Sequence, residues 1–296
     1  MAIGNRVSRA LRTFLQFPLT RIVLFSVVLL AAIVLAQSPR AVGVTPHSAA
    51  GATFSLLVAA LSVLAYCGCV RLIERRAATE FAFIRALPDF VLGAVIGASL
   101  FAGTMLLLVL CGVASTSATG DWSALAYALA ASLVAAVMEE TLLRGVLFRI
   151  VEESLGSWIA LALSALVFGG LHAFNQGATL RSSAAIALEA GVLLAAVYMY
   201  TRSLWMPIGL HLGWNFTEGG IFGASVSGGK ARGLLETRMH GPEWLSGGAF
   251  GPEASLVAVL VCLAAGIVFL RLAVRRGRVV APFWSRRRAG AAGAST

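Results

Sequence analysis

Eight apolar stretches follow one another along this chain, at residues 15–36, 52–70, 90–113, 122–148, 158–174, 183–200, 204–222 and 255–274. Each is about as long as the roughly 20 residues that a helix needs to cross a bilayer. The pattern predicts an all-α fold, a polytopic membrane protein with about eight transmembrane helices. Composition agrees, since 59% of residues are hydrophobic and 12% are charged, whereas soluble domains carry about 25% charged residues. A water-soluble globule is excluded, and the segments between the stretches leave no room for a separate soluble domain. The four cysteines, Cys67, Cys69, Cys111 and Cys262, all fall within the stretches. Cys67 and Cys69, two apart on a helix, point to different faces and cannot form a local metal pair, so the cysteines read as small buried hydrophobes.

The net charge of +10 would suit nucleic acid if the cations formed a patch on a folded surface, but they flank the apolar stretches instead. With a cytoplasmic N-terminus, Arg6, Arg9, Arg12 and Arg21 precede the first span, and Arg71, Arg75, Arg76 and Arg85 fall in the second cytoplasmic segment. Arg149 and Arg202 follow on the same side, and Arg271, Arg275, Arg276, Arg278, Arg286, Arg287 and Arg288 form the tail. The opposite side receives only Arg40, Arg181, Lys230, Arg232 and Arg238. The positive-inside rule then puts both termini in the cytoplasm, as an even number of spans also requires. The expectation is an integral protein of a bacterial-type cytoplasmic membrane, with the lipid bilayer and no nucleic acid among its partners. The first run is long and lacks a small-residue cleavage site, so it reads as span one rather than as a cleaved signal.

Residues 1–14 alternate Arg with Val, Leu and Phe at helical spacing and read as a basic interfacial helix. Residues 15–120 hold the first three spans, 121–222 the spans that carry the intramembrane ionisable groups, and 254–274 the last span. Residues 275–296 read as a basic disordered tail. Between them, 223–253 forms a Gly-rich non-cytoplasmic loop with eight glycines, Pro242 and Pro252. Such a loop is either a mobile flap over a site between helices or a slack connector.

Ionisable groups inside a bilayer are costly and are functional candidates by default. Glu139, Glu140, Arg144, His172, Glu189, His211 and Glu218 all lie within spans or at their ends. At 100° per residue, Arg144 stands about 40° from Glu140 but about 140° from Glu139, so the i,i+4 ion pair belongs to Glu140 and Arg144. Glu139 is left without its own cation, which suits a general base. His211 and Asn215 are one turn apart and project toward the same point, with Glu218 within about 20° of His211 on that face. At about 1.5 Å per residue from the cytoplasmic ends of their spans, Glu139 lies roughly 15 Å deep, His211 roughly 12 Å and His172 roughly 20 Å. Three helices thus bring these groups to similar depth, as an active site requires. Glu189 needs a partner, and a structural hydrogen bond to a neighbouring helix is expected. Trp205 and Trp214 suit packing or an interfacial position.

The succession Glu139-Glu140-x-x-x-Arg144, Phe168-x-x-x-His172 and His211-x-x-x-Asn215 on successive helices resembles the CPBP family of intramembrane endopeptidases. That family includes the type II CAAX prenyl endopeptidases and the bacteriocin-processing and immunity proteins. The likeness covers about 121–222, making this the CPBP-like catalytic core, and Thr201-Arg202-Ser203-Leu204-Trp205 before His211 is also similar to bacterial members. The resemblance implies a CAAX protease-like glutamic endopeptidase acting on a membrane-associated protein or peptide. Glu139 and His172 would hold and activate a water, His211 and Asn215 would donate to the oxyanion, and Glu140 and Arg144 would support them. No cofactor is expected. The alternative is zinc on Glu139, His172 and His211 with water as the fourth ligand, against which Asn is a poor zinc ligand and no His-Glu-x-x-His spacing exists. Two rival functions are a non-catalytic membrane scaffold and a proton-coupled transporter, the second of which usually has internal repeats and broken helices.

Overall fold

Each of the eight apolar stretches is helical in the computed structural model, which describes residues 12–38, 43, 48–119 and 121–286. Helix α1 is Pro18–Gln37, α2 is Ala49–Cys69 extended by the π-helical Val70–Glu74, and α3 is Ala86–Leu110. Helix α4 runs through Ser123–Glu140, a π-helical Thr141–Phe148 and Arg149–Leu155, and α5 is Ser157–His172. Helix α6 joins Leu180–Ile186, a π-helical Ala187–Gly191 and Val192–Thr201. Helix α7 is Trp205–Asn215 with a π-helical Phe216–Ile221, and α8 is Leu256–Arg275. Side-chain oxygens satisfy the first free backbone donors of several helices: Ser48 accepts from Gly51, Thr179 from Ser182 and Ser255 from Ala258.

Six of the eight helices are long and apolar enough to cross a membrane. The exceptions are α5 and α7. Helix α5 has 16 residues, about 24 Å at 1.5 Å per residue against a hydrocarbon core of about 30 Å. Helix α7 is sheathed by protein, with every residue from Met206 to Trp214 buried, so its sequence is free of the demand that lipid makes. The bundle is built around α6, whose most apolar window is 78% buried against 22% for α1. The outer helices turn Val23, Val27, Leu61, Leu64, Val91 and Val95 outward, as a lipid-facing surface requires.

The closest crossing in the bundle fixes α7. Gly93 and Gly97 on α3 meet Gly209 and Gly213 on α7, two small-x-x-x-small pairs facing each other. A methyl group on Gly97 would stand 2.0 Å from the Leu210 carbonyl oxygen, and one on Gly213 would stand 2.1 Å from that of Ala94. His211, between Gly209 and Gly213 in sequence, therefore points away from α3 and toward α4. Gly97→Val should force the two backbones apart at a cost at or above the upper end of the roughly 1–3 kcal/mol typical of overpacking. Thermal unfolding in detergent measures it, and an unchanged midpoint would contradict this packing.

The 223–253 segment is neither slack nor a bare flap. Strand β1, Ala114–Ala118 after α3, pairs antiparallel with β2, Leu235–Met239, in the register Ala114↔Met239 to Ala118↔Leu235. Around this ribbon the segment folds back on itself, with the Gly228 N–H donating to the Phe250 carbonyl at 2.8 Å. Gly228 has φ +81°, and a methyl group there would stand 1.9 Å from the Gln176 carbonyl oxygen, so only glycine allows this approach. The tail expected to lack order is held as far as Arg286. Its Val280 exchanges hydrogen bonds with Ser157, N–H to Oγ at 2.8 Å and carbonyl from N–H at 3.0 Å, and Arg286 donates to the Glu153 carbonyl at 2.5 Å. The interfacial helix expected over 1–14 lies almost wholly outside the described residues.

One end of the bundle collects the arginines. Arg21 bonds Glu74 at 3.1 Å and Glu153 at 2.6 Å, and Arg149 bonds both at 2.8 Å. Arg76 joins Glu74 and Glu80 at 2.8 Å each, while Arg202 pairs with Glu152. These pairs tie α1, α2, α4 and the turn after α6 together.

Candidate active site

The twin glutamates of α4 separate as their angles on the helix predict. Glu140 is fully buried and its Oε1 accepts from Arg144 at 2.8 Å and from His211 Nδ1 at 3.1 Å. Arg144, also fully buried, donates further to the carbonyls of Ala190 and Gly191 at 3.2 and 3.1 Å and lies 4.8 Å over the Phe168 ring. These carbonyls are free to accept because α6 is π-helical over Ala187–Gly191, where the ordinary i→i−4 ladder is interrupted. Glu139 faces the other way. Its side chain is 32% exposed and its Oε2 is 4.0 Å from His211 Nε2, too far for a direct hydrogen bond and suited to a bridging water.

Hydrogen bonding fixes which nitrogen of each histidine carries a proton. The Nδ1 of His172 lies 2.8 Å from the Phe168 carbonyl, which can only accept, so Nδ1 is protonated and Nε2 presents a lone pair whenever the ring is uncharged. His211 Nδ1 likewise faces Glu140 Oε1, which also accepts from Arg144. Its Nε2 accepts when the ring is neutral and donates when the ring is charged. Phe168 packs between the two, 4.7 Å from His172 and 6.2 Å from His211 by ring centres.

His172, His211 and Asn215 line one cavity of about 20 Å³, enough for one water molecule. Glu139 borders His211 from outside that lining. Two further wall residues, Ser227 and Glu253, come from the Gly-rich segment, and nothing in their sequence context marks them before the chain is folded. Burial raises the Glu253 carboxyl above the usual carboxylate range, against the opposing pull of His172 and Ser227. Glu189 also lines the cavity and accepts from Cys262 Sγ on α8 at 3.5 Å, the expected bond to a neighbouring helix. Glu218, within the π-helical Phe216–Ile221, lies beside Glu253 and close to Trp214 and Glu189. Trp214 packs edge-on against Phe101 at 5.0 Å, and Trp205 donates to the Ala82 carbonyl at 3.2 Å.

Among the described residues no three His, Cys, Asp or Glu side chains converge closely enough to hold a metal ion.

Residues 121–217 match a protein-family model described as Rce1-like, type II CAAX prenyl endopeptidase. The match covers about a third of the chain and includes Glu139, Glu140, Arg144, His172, His211 and Asn215. No curated protein and no solved structure matches the chain. Over residues 121–217 the chain is thus similar to the Rce1-like type II CAAX prenyl endopeptidases, within a protein whose helices include six long and apolar enough to cross a membrane.

Proposed function

We propose that this protein hydrolyses a peptide bond of a membrane-associated protein or peptide with a water activated by Glu139 and His172. The observation that carries the reading is the division of the twin glutamates. Glu140 is committed to Arg144 and His211, whereas Glu139 keeps its oxygens free beside a cavity of water size. In this mechanism the water donates one proton to Glu139 and the other toward the His172 Nε2 lone pair. As its oxygen attacks the scissile carbonyl, the new C–O bond pushes charge onto the carbonyl oxygen. The Asn215 amide and the Nε2–H of charged His211 donate to that oxyanion. Collapse breaks the C–N bond, and Glu139 returns its proton to the leaving nitrogen, so no net proton is needed from elsewhere. Glu140 and Arg144 hold the His211 ring in place.

The gathering of Arg21, Arg76, Arg149 and Arg202 at one end of the bundle supports both termini lying on the cytoplasmic side of a bacterial-type membrane. Comparing the termini of membrane proteins in cells with and without the active protein tests the function. New termini that require it are expected, and none would refute the reading.

The mechanism uses hydrogen-bond donors where a metal would serve as Lewis acid, so cleavage should survive exhaustive chelation. Removing one oxyanion donor typically costs about 10²–10³ in rate, and Asn215→Ala should lose that much while retaining measurable turnover. Activity that chelation abolishes and added zinc restores would make Glu139, His172 and His211 ligands and overturn these roles.

A further inference from the structure

Seven carboxyl side chains are buried among the described residues. Four of them face an arginine: Glu80 with Arg76, Asp89 with Arg85, Glu140 with Arg144 and Glu152 with Arg202. Glu189, Glu218 and Glu253 have no arginine or lysine partner. These three gather in one place, at the wall of the cavity that the histidines also line. Glu189 and Glu253 line it, and Glu218 stands beside Glu253. Neither oxygen of Glu218 nor Oε1 of Glu253 has a partner at hydrogen-bond geometry. Glu218 is fully buried and Glu253 is 3% exposed. Burying such groups unsatisfied is costly, and the chain satisfies its other buried carboxyls with cations from its own sequence.

The cavity at rest has room for one water, so a substrate whose carbonyl reaches His211 and Asn215 must part its walls, and the residue next to the scissile bond then meets Glu253 and Glu189. We propose that Glu189 and Glu253, with Glu218 beside Glu253, form a subsite for a cationic side chain of the substrate, an ammonium or guanidinium flanking the cleaved bond. The subsite rests on the peptidase reading above and adds to it the chemistry that selects the substrate. Glu253 arrives on the segment that follows α7, outside the family match at 121–217, so this preference belongs to the chain's own elaboration of the core.

The first test is the set of cleavage sites found in the terminus comparison, which should carry Lys or Arg at one fixed position within a few residues of the cut. A peptide copied from such a site is then compared with one bearing citrulline, the neutral isostere of arginine, at that position. The wild-type protein should favour the arginine peptide by about 30-fold or more in kcat/KM, mainly through KM, as when one partner of a desolvated charge pair is removed. Glu253→Gln and Glu189→Gln should each shrink that ratio toward one. Equal cleavage of the two peptides by the wild type would overturn the subsite, leave the peptidase reading intact and show that the carboxyls simply hold protons. If no peptide is cleaved, the peptidase reading fails by itself. The subsite is then judged by binding, with arginine amide expected to raise the melting temperature of the wild-type protein in detergent and citrulline amide not. Equal shifts from the two amides, or none, would overturn it.

Discussion

Glu139→Gln should remove cleavage, a fall of about 10²–10⁴ or more in kcat, the range that a positioned general base contributes. The substitution keeps the volume and shape of the side chain and removes only its ability to take a proton. Among the described residues Glu139 makes no ion pair with arginine, and its Oε2 stands 4.0 Å from His211 Nε2. The variant should therefore unfold in detergent at the same temperature as the wild type. KM should change little, because the lost proton acceptor acts on the water rather than on substrate binding. Activity within a few-fold of the wild type would remove Glu139 from the mechanism.

The opposite pattern is expected at Arg144. Arg144→Ala leaves the fully buried Glu140 without its arginine, strands the carbonyls of Ala190 and Gly191 and removes the contact over Phe168. Breaking one side of a buried pair typically costs about 3–5 kcal/mol because the other charge remains uncompensated. The loss should appear as a lower unfolding temperature in detergent and poor accumulation in the membrane. Arg144→Lys should recover only part of it, since an ammonium cannot span the Glu140 carboxylate and two carbonyls as a planar guanidinium does. If Arg144→Ala is as stable as Glu139→Gln, the division of labour between the twin glutamates is wrong.

Much of this was legible before folding because the relevant physics is local. A bilayer-length apolar run forms a helix wherever it stands, so the eight helices fell where hydropathy put them. The Glu140 and Arg144 pair followed from four residues of helical rotation, and the 2.8 Å contact bears it out. The link from Glu140 to His211, 71 residues away, was not legible in the same sense. Depth brought the two groups to a similar level, but only the glycine-to-glycine crossing of α3 and α7 turns His211 toward α4. The place of Glu218 beside Glu253 was not legible either, because Glu253 lies on a separate segment of the chain.

Fold class, the positions of the eight helices, the pairing within α4 and the motifs that carry the family likeness can all be read along the chain. Each depends on residues within a few turns of one another or on transfer of side chains to lipid. The tertiary structure alone decided that 223–253 pairs through β2 with Ala114–Ala118, that the tail docks as far as Arg286, and that Ser227 and Glu253 line the cavity. The reason is physical. An Ala-Ser-Thr-Ser-Ala strand and a Gly-rich segment carry no apolar period of their own. Their conformation is set by backbone hydrogen bonds to chain more than a hundred residues distant, and those bonds exist only once the helices have brought the two segments side by side.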